Sequence, residues 1–593
     1  MATQTVYIHT LSTSTTGTLG TAANPYRHGW QWKTQASVGF DATSDADWEV
    51  VVGGPHYLLK TTAFPGPVVL SMSGKTTKRV IIRDWIPASA GGADPEYPSL
   101  GTFPAAYYPL HFYGIAAAGV GTRPAATPLT LALGAYDVDE NSRTFIYESN
   151  AIYSAGETVR VPAFLVVSQR RSDGNYINGG AYQPGTFLSV NVVADVPTPT
   201  GNSKDPCVIP GAALFCTANN KIYVHVDDLP ATAYELTWIH SGEGAFQITG
   251  ADYVELKDIG ASHFYSTSDS YNGRPFGIFD CKQLIERNCR LGYAGNHAVT
   301  LSNATAINVS NCIVEDCTFF GIGGGSSGAQ PVIFDMGSST GTTLSNVTMV
   351  RNRFVLTMPM FVNGKVIGNT RQIDLISFAS YASGCTHSNI TVSDTEVIGA
   401  DGYGPDKVYL VQAANCPAEG QRETPSSYQI YTKNWKISGV GKCNPGYLWG
   451  AGANGDYRVS FDGISIDAPR FGREVQRRTI ANGGTPASID AVIEPEATAF
   501  NSSTVRFRAM IKDLKITADI AGVRDNHALR LIGSAVTGPA ADRNEIIIRG
   551  TGYGVMLSNG VRIDPRNLPT HDTGLFGWTN ATGVSDACFS LDI

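Results

Sequence analysis

Short runs of alternating apolar and polar residues recur through the second half of the chain, and most of them close on Asn or Asp. VELKDIG, LIERNCRL, INVSNCIV, TMVRNRFV, ITVSDTEV, IYTKNWKI, VSFDGISI and AMIKDLKI share one order: apolar, any, apolar, any, then the short polar residue. The polar residues are Asp258, Asn288, Asn311, Asn352, Asp394, Asn434, Asp462 and Asp513, and VIIRDWI adds Asp84 far upstream. A period of two predicts short strands with one buried face. Asn and Asp tolerate the left-handed backbone conformation and bond neighbouring backbone groups, so each predicts a sharp turn. Stacked at one turn of successive coils, they predict a polar ladder along a solenoid.

The fold class expected is therefore all-β, a right-handed parallel β-helix with an N-terminal cap and an inserted β-rich domain. Residues 1–86 read as the cap and first coils. Residues 87–243 break the rhythm with clustered Pro, Gly and Ala and carry no ladder residue, so they read as the inserted domain. Residues 244–530 carry the ladder as the main helix, and 531–593 as final coils and a C-terminal cap. Rungs recur roughly every 36 residues, more than the roughly 20–25 of a minimal repeat, which predicts long projecting loops. Asn288 and Asn311 would mark the closest pair of coils.

Composition supports stacked strands. Charged residues are 16% of 593, hydrophobic ones 42%, and 64 are Gly, which fits tight turns and excludes wholesale disorder. Net charge is −8 with no Lys/Arg run, so a nucleic-acid partner is not expected. No apolar run predicts a membrane helix, and MATQTVYIHT lacks a basic and apolar leader, which reads either as the mature form of a secreted protein or as release by another route such as virion assembly and lysis. Of ten cysteines, Cys281, Cys289, Cys312 and Cys317 fall in adjacent coils and read as buried thiols. Cys207 and Cys216 form the candidate bridge in an oxidising compartment. No spacing suggests a metal site, and no cofactor is expected.

The opening stretches VYIHTLSTSTTGTLGTAANPY, WEVVVGGPHYLL and VVLSMSGKTTKRVIIRDW resemble the first coils of right-handed β-helix proteins of the polysaccharide-lyase and bacteriophage-tailspike type. The passage from KIYVHVDD to GAFQITGADYVELKDIG resembles the entry of that family into its main helix. The resemblance implies that YRHGWQWKTQA is a capping helix, that the substrates are polysaccharides and that the protein is a homotrimer.

Candidate chemistry follows from what a glycan needs. Hydrolysis uses two carboxyls roughly 5–9.5 Å apart. Asp280 and Asp335 stand in one register, two coils or roughly 9–10 Å apart, and read either as that pair or as a second structural ladder. Glu315 and Asp316 follow a ladder strand, only one of them facing outward. Arg351 flanks a ladder position, as do Arg287 and Arg353, and would stand one coil above Ser310. An exposed arginine there could neutralise a uronate. His297 and His387 read as exposed turn residues. Tyr107, Tyr108, Phe112, Tyr447, Trp449 and Tyr457 fall in apparent loops and are candidate sugar platforms, or fill small loop cores. Asn303, Asn346 and Asn389 head Asn-x-Thr triplets and read as ladder residues rather than glycosylation sites.

The function expected is a bacteriophage virion surface protein, tailspike-like, that binds bacterial surface polysaccharide beside other virion proteins. A secreted polysaccharide lyase or glycoside hydrolase is the alternative, and a non-enzymatic spike or decoration protein a third. The residues leave cleavage open, because no base, arginine and acidic calcium ligands stand in register as a lyase signature.

Overall fold

The structure is a computed structural model. It describes residues 4–9, 12, 14, 18–26, 48–53, 68–70, 79–96, 111–113, 131–139, 144–149, 151, 164–170, 176–182, 188–190, 213–226, 234–239, 246–262, 276–279, 281–292, 299–302, 309–320, 331–335, 343–356, 361–362, 365–366, 372–379, 386–398, 407–414, 430–438, 442–449, 455–468, 505–518, 529–530, 545–549, 555–557 and 579–580. These residues are almost all strand, mostly parallel, with a 3-10 turn at Ala88–Ala90 and no α-helix among them. The arrangement is compatible with a β-helix and consistent with an all-β solenoid. The expected capping helix lies outside the described residues beyond Tyr26. The chain forms two compact units, one of residues Met1–Leu301, Asp316–Ser327 and Met358–Asn369, the other of Ser302–Glu315, Gly328–Thr357 and Thr370–Ile593.

In the first unit, three rows of parallel strands repeat. One row holds Val68–Leu70, Phe246–Thr249 and Phe276–Phe279. The middle row runs Gln4–His9, Trp48–Gly53, Val80–Asp84, Val254–Lys257 and Ile285–Arg287. The third holds His111–Tyr113, Gly260–Ser262, Arg290–Gly292 and Thr318–Phe320. Val80–Asp84 thus lies directly beside Val254–Lys257, and most strands between them pair differently. Leu131–Asp139, Thr144–Ser149, Lys221–Val226 and Ala213–Cys216 are antiparallel neighbours, as are Tyr234–Ile239, Phe164–Arg170 and Tyr176–Tyr182. The first strand's outer edge is closed by its own loop: Tyr7 N–H donates to the Gly20 carbonyl, and Tyr26 and His9 N–H groups bond across the same gap. An edge covered in this way offers no template for a second chain.

The second unit repeats the pattern. Val332–Asp335, Gln372–Ala379, Lys407–Ala414 and Lys442–Trp449 form one row. Val309–Glu315, Thr343–Val350, Thr386–Ile398, Ile430–Ser438, Gly455–Ala468, Val505–Ala518 and Glu545–Arg549 form the other. Arg353–Val355 pairs with the far end of Thr386–Ile398, so that strand turns a corner within itself.

Alternation along each strand and exact register between strands create files of inward side chains. Val6, Val50, Ile82, Leu256 and Glu286 form one file, all fully buried. Val309, Leu344 and His387 form another. Each buried aliphatic side chain contributes roughly 1.5–3 kcal/mol of transfer free energy. Cys281, Cys289, Cys312 and Cys317 are buried free thiols, as expected for coil-interior residues. Cys216 is also buried and free, not bridged, and Cys207 lies outside the described residues.

Candidate functional site

Two left-handed turns, not one, flank the central strand in several coils. In the second unit the first turn carries Asn311, Asn346 and Asn389, with φ of 54°, 53° and 52°. The second carries Arg351, Asp394, Asn434 and Gly463, with φ of 53°, 53°, 55° and 80°. In the first unit the second turn carries Asp258, Asn288 and Asp316. Side-chain bonds between coils then hold each turn. Asn288 Nδ2 donates to Asp258 Oδ1 at 2.7 Å, Asn434 Nδ2 to Asp394 Oδ1 at 2.8 Å, and Asn389 Nδ2 to Asn346 Oδ1 at 2.6 Å. Asn346 and Asn389 are ladder residues, as read from their triplets, while Asn303 lies outside the described residues.

Several ladder assignments need correction. Asn311 belongs to the first turn, so it is not the rung after Asn288. That rung is Asp316, since Arg290 pairs with Thr318. Asn352 stands one residue past its turn, faces inward, and donates from Nδ2 to the Val314 carbonyl at 2.9 Å. The turn itself is Arg351. Asp462 stands one residue before its turn, which Gly463 occupies, and accepts a bond from the Tyr431 hydroxyl at 3.2 Å. Asp513 is level with Gly463, because Asp462 pairs with Lys512 and Ile464 with Leu514. Asp84 is level with Asp258 but has no left-handed φ and is buried.

The catalytic candidates divide in the same way. Asp280 lies outside the described residues, and Asp335 is described only as the backbone end of its strand, beside Ala379. Glu315 is partly buried at a strand end, and Asp316 is exposed in the turn. Arg351 and Glu315 are brought together, Nη2 to Oε2 at 3.7 Å. Ser310 pairs with Ser345, so Arg351 does not stand over it. Arg287 is committed to Glu255 at 2.7 Å. His387 is not an exposed turn residue: it is fully inside a strand, and burial pushes its pKa down to about 4. His297 lies outside the described residues.

The aromatic candidates are not in loops where they are described. Phe112 lies in His111–Tyr113, Tyr447 and Trp449 in Lys442–Trp449, and Tyr457 in Gly455–Ala468. Their Gly- and Pro-containing flanks read as turns, but pairing with an already formed neighbouring strand overrides that local preference. Tyr107 and Tyr108 lie outside the described residues.

A concave groove of about 690 Å³ runs along the second turn of the second unit. One wall is the turn row Arg351, Asp394, Asn434 and Gly463. The other is the outward row two residues on, Arg353, Glu396, Lys436 and Ser465, which register places side by side. The backbones of Asn352, Thr395, Trp435 and Ile464 pass between the walls. The groove contains Arg351 and Arg353 from the arginines flanking the ladder and none of the six candidate sugar platforms. Asp394, Glu396, Asn434, Lys436 and Gly463 complete it. The two ladder residues among them were visible in the sequence only as turn formers, and the outward row shows itself only once register is known.

Charge in the groove is locally balanced. Arg353 Nε donates to Glu396 Oε2 at 2.7 Å. The Asn434 amide holds the Asp394 carboxyl below the usual carboxylate range, against an opposing push from burial, with Ser393, Lys433 and Arg351 acting in the same sense as Asn434. Exposed pairs of this kind contribute little stability, about 0.2–1 kcal/mol. Among the described residues no group of His, Cys, Asp and Glu is placed to hold a metal ion, and no helix is long and apolar enough to cross a membrane.

These features define a class only: an all-β protein of long parallel sheet, compatible with a β-helix, with a polar groove along one corner. Comparison with protein-family models and with curated proteins finds no match to this chain.

Proposed function

We propose that this chain is a right-handed parallel β-helix protein of a bacteriophage virion, tailspike-like and trimeric, that binds bacterial surface polysaccharide along the groove of its second unit. The observation that carries the reading is the groove itself, whose two walls repeat hydrogen-bonding side chains from coil to coil. A repeating ligand matches a repeating wall, and carboxylates, amides and cations together supply both acceptors and donors for hydroxyl groups. The resemblance of the opening coils to tailspike and lyase proteins supports a polysaccharide ligand, and supports the secreted lyase or hydrolase alternative equally. Arg353 and Glu396 within the groove, and Arg351 of the groove with Glu315, each set a carboxylate beside a cation, the minimum for acid–base chemistry on a bound glycan.

The test is a panel of capsular, lipopolysaccharide and uronate glycans incubated with the full chain, with binding read by affinity electrophoresis and products by mass spectrometry. Binding that Arg351→Ala weakens supports the reading. Binding to intact bacteria or glycans that survives simultaneous replacement of Arg351 and Glu396 would move the site elsewhere. Shortened products with unsaturated ends mean a lyase, and saturated ends a hydrolase.

A further inference from the structure

We infer that the groove selects a neutral, hydroxyl-rich glycan and turns away a uniformly anionic one, an inference that rests on the glycan-binding reading above. The argument is the order of charge along the solenoid. The coil of Arg351 and Arg353 presents two cations, and the next presents two carboxylates, Asp394 and Glu396. The coil after that presents Asn434 and Lys436, and the last presents Gly463 and Ser465 without charge. Coils are spaced by roughly 4.8 Å. A polyuronate extended along the groove repeats the same charge and must set part of it against the Asp394 and Glu396 coil. Asp394 is held below the usual carboxylate range by the Asn434 amide, and Glu396 accepts from Arg353 Nε at 2.7 Å. The two guanidinium groups are engaged, Arg351 with Glu315 and Arg353 with Glu396, so recruiting either to an anionic sugar means giving up a carboxylate, and Lys436 offers a cation on one coil only.

A neutral chain meets no such conflict. Ionised carboxylates accept from pairs of sugar hydroxyls, and guanidinium, ammonium and amide groups donate to ring and hydroxyl oxygens. Gly463 widens the uncharged end, since a side chain there would press on Asn434 Oδ1 at 3.3 Å.

The experiment is affinity electrophoresis of the full chain through gels holding neutral glycans (dextran, galactomannan and neutral bacterial capsules) or anionic ones (polygalacturonate and alginate), at low and high salt. The expected result is retention by a neutral glycan that salt leaves unchanged, with no retention by the polyuronates. Glu396→Gln, at a half-exposed position and checked by its melting temperature, lowers neutral retention several-fold and introduces polyuronate retention that salt abolishes. Retention by polyuronates alone, or equally by both classes, overturns the inference and leaves glycan binding standing. Neutral retention that Glu396→Gln does not move overturns the assignment to this groove. No retention by any glycan overturns the glycan-binding reading itself, and this inference with it.

Discussion

The two compact units share one construction and differ in the titratable residue that ends a buried aliphatic file in each. In the first, the aliphatic file Val6, Val50, Ile82 and Leu256 ends in Glu286; in the second, Val309 and Leu344 lead to His387. Both side chains are fully inside, and burial acts on each through the same cost of a charge in a poor solvent. The sign is opposite. Glu286, whose carboxylate oxygens have no hydrogen-bond partner among the described residues, is pushed up to about 8, and His387 down to about 4. Both are therefore neutral near pH 7, but the first unit is exposed to alkali and the second to acid. A solenoid file tolerates a polar residue if it can shed its charge, and the cost appears only at the pH where it cannot.

Four experiments would break or sharpen that contrast. The largest effect is expected from Glu286. Its folded pKa stands above its ordinary 4.5, so its contribution is fully present below about pH 4.5 and is lost as pH rises through about 8. The loss is on the order of 5 kcal/mol. Urea denaturation from pH 5 to 9 reads it, and Glu286→Gln removes the slope; parallel slopes for wild type and variant would dismiss the idea. His387 comes next. Its folded pKa lies below its ordinary 6.5, so stability is full above that value and falls as pH drops towards about 4, by about 3 kcal/mol. Hydrogen exchange at pH 5 should loosen amides of Thr343–Val350 and Thr386–Ile398, and His387→Leu should restore them.

The ladder is expected to contribute less, and similarly in both units. Asn434→Ala loses the bond to Asp394 and the tolerance of a left-handed φ, and should cost about 1–2 kcal/mol, with Asn434→Gly recovering the part due to backbone conformation. Thermal melts of both variants decide this, and equal melting of Ala and Gly would show that the bond alone matters. The smallest change is Gly463→Ala, expected to cost about 1 kcal/mol because φ is 80°. Gly463→Asn should cost less, as Asn tolerates that conformation, and a larger loss for Asn than for Ala would contradict this.

Much of the repeat was readable because Asn and Asp advertise left-handed turns. Asp258, Asn288, Asp394 and Asn434 were found on that signal alone. The misplacements have one physical origin, the presence of a second left-handed turn at the other end of the strand. Asn311 carries the right chemistry at the wrong turn, while Arg351, a residue with no turn preference, sits at the right one. Neighbouring Asn352 and Asp462 drew the assignment by a single position. Of the candidate site, Arg351 and Arg353 were legible beside the ladder and Asp394 and Asn434 as turn formers, while Glu396 and Lys436 were not, since their proximity depends on register between strands that sequence spacing does not encode. His387 was misread because polarity outweighed its place in the inward file.

The adjacency of Val80–Asp84 and Val254–Lys257 has a consequence for synthesis. The Arg79 guanidinium donates to the carbonyl of Gln283, 204 residues further along. At roughly 5–20 residues per second, a ribosome needs about 10–40 s to deliver that partner. Through that interval the nascent strand waits with an unpaired edge and an open apolar interior, ready to template a neighbouring chain on the same message. Translation speed across the intervening segment, and any chaperone that shields the edge, would then set the yield of native protein as strongly as the stability of the finished fold.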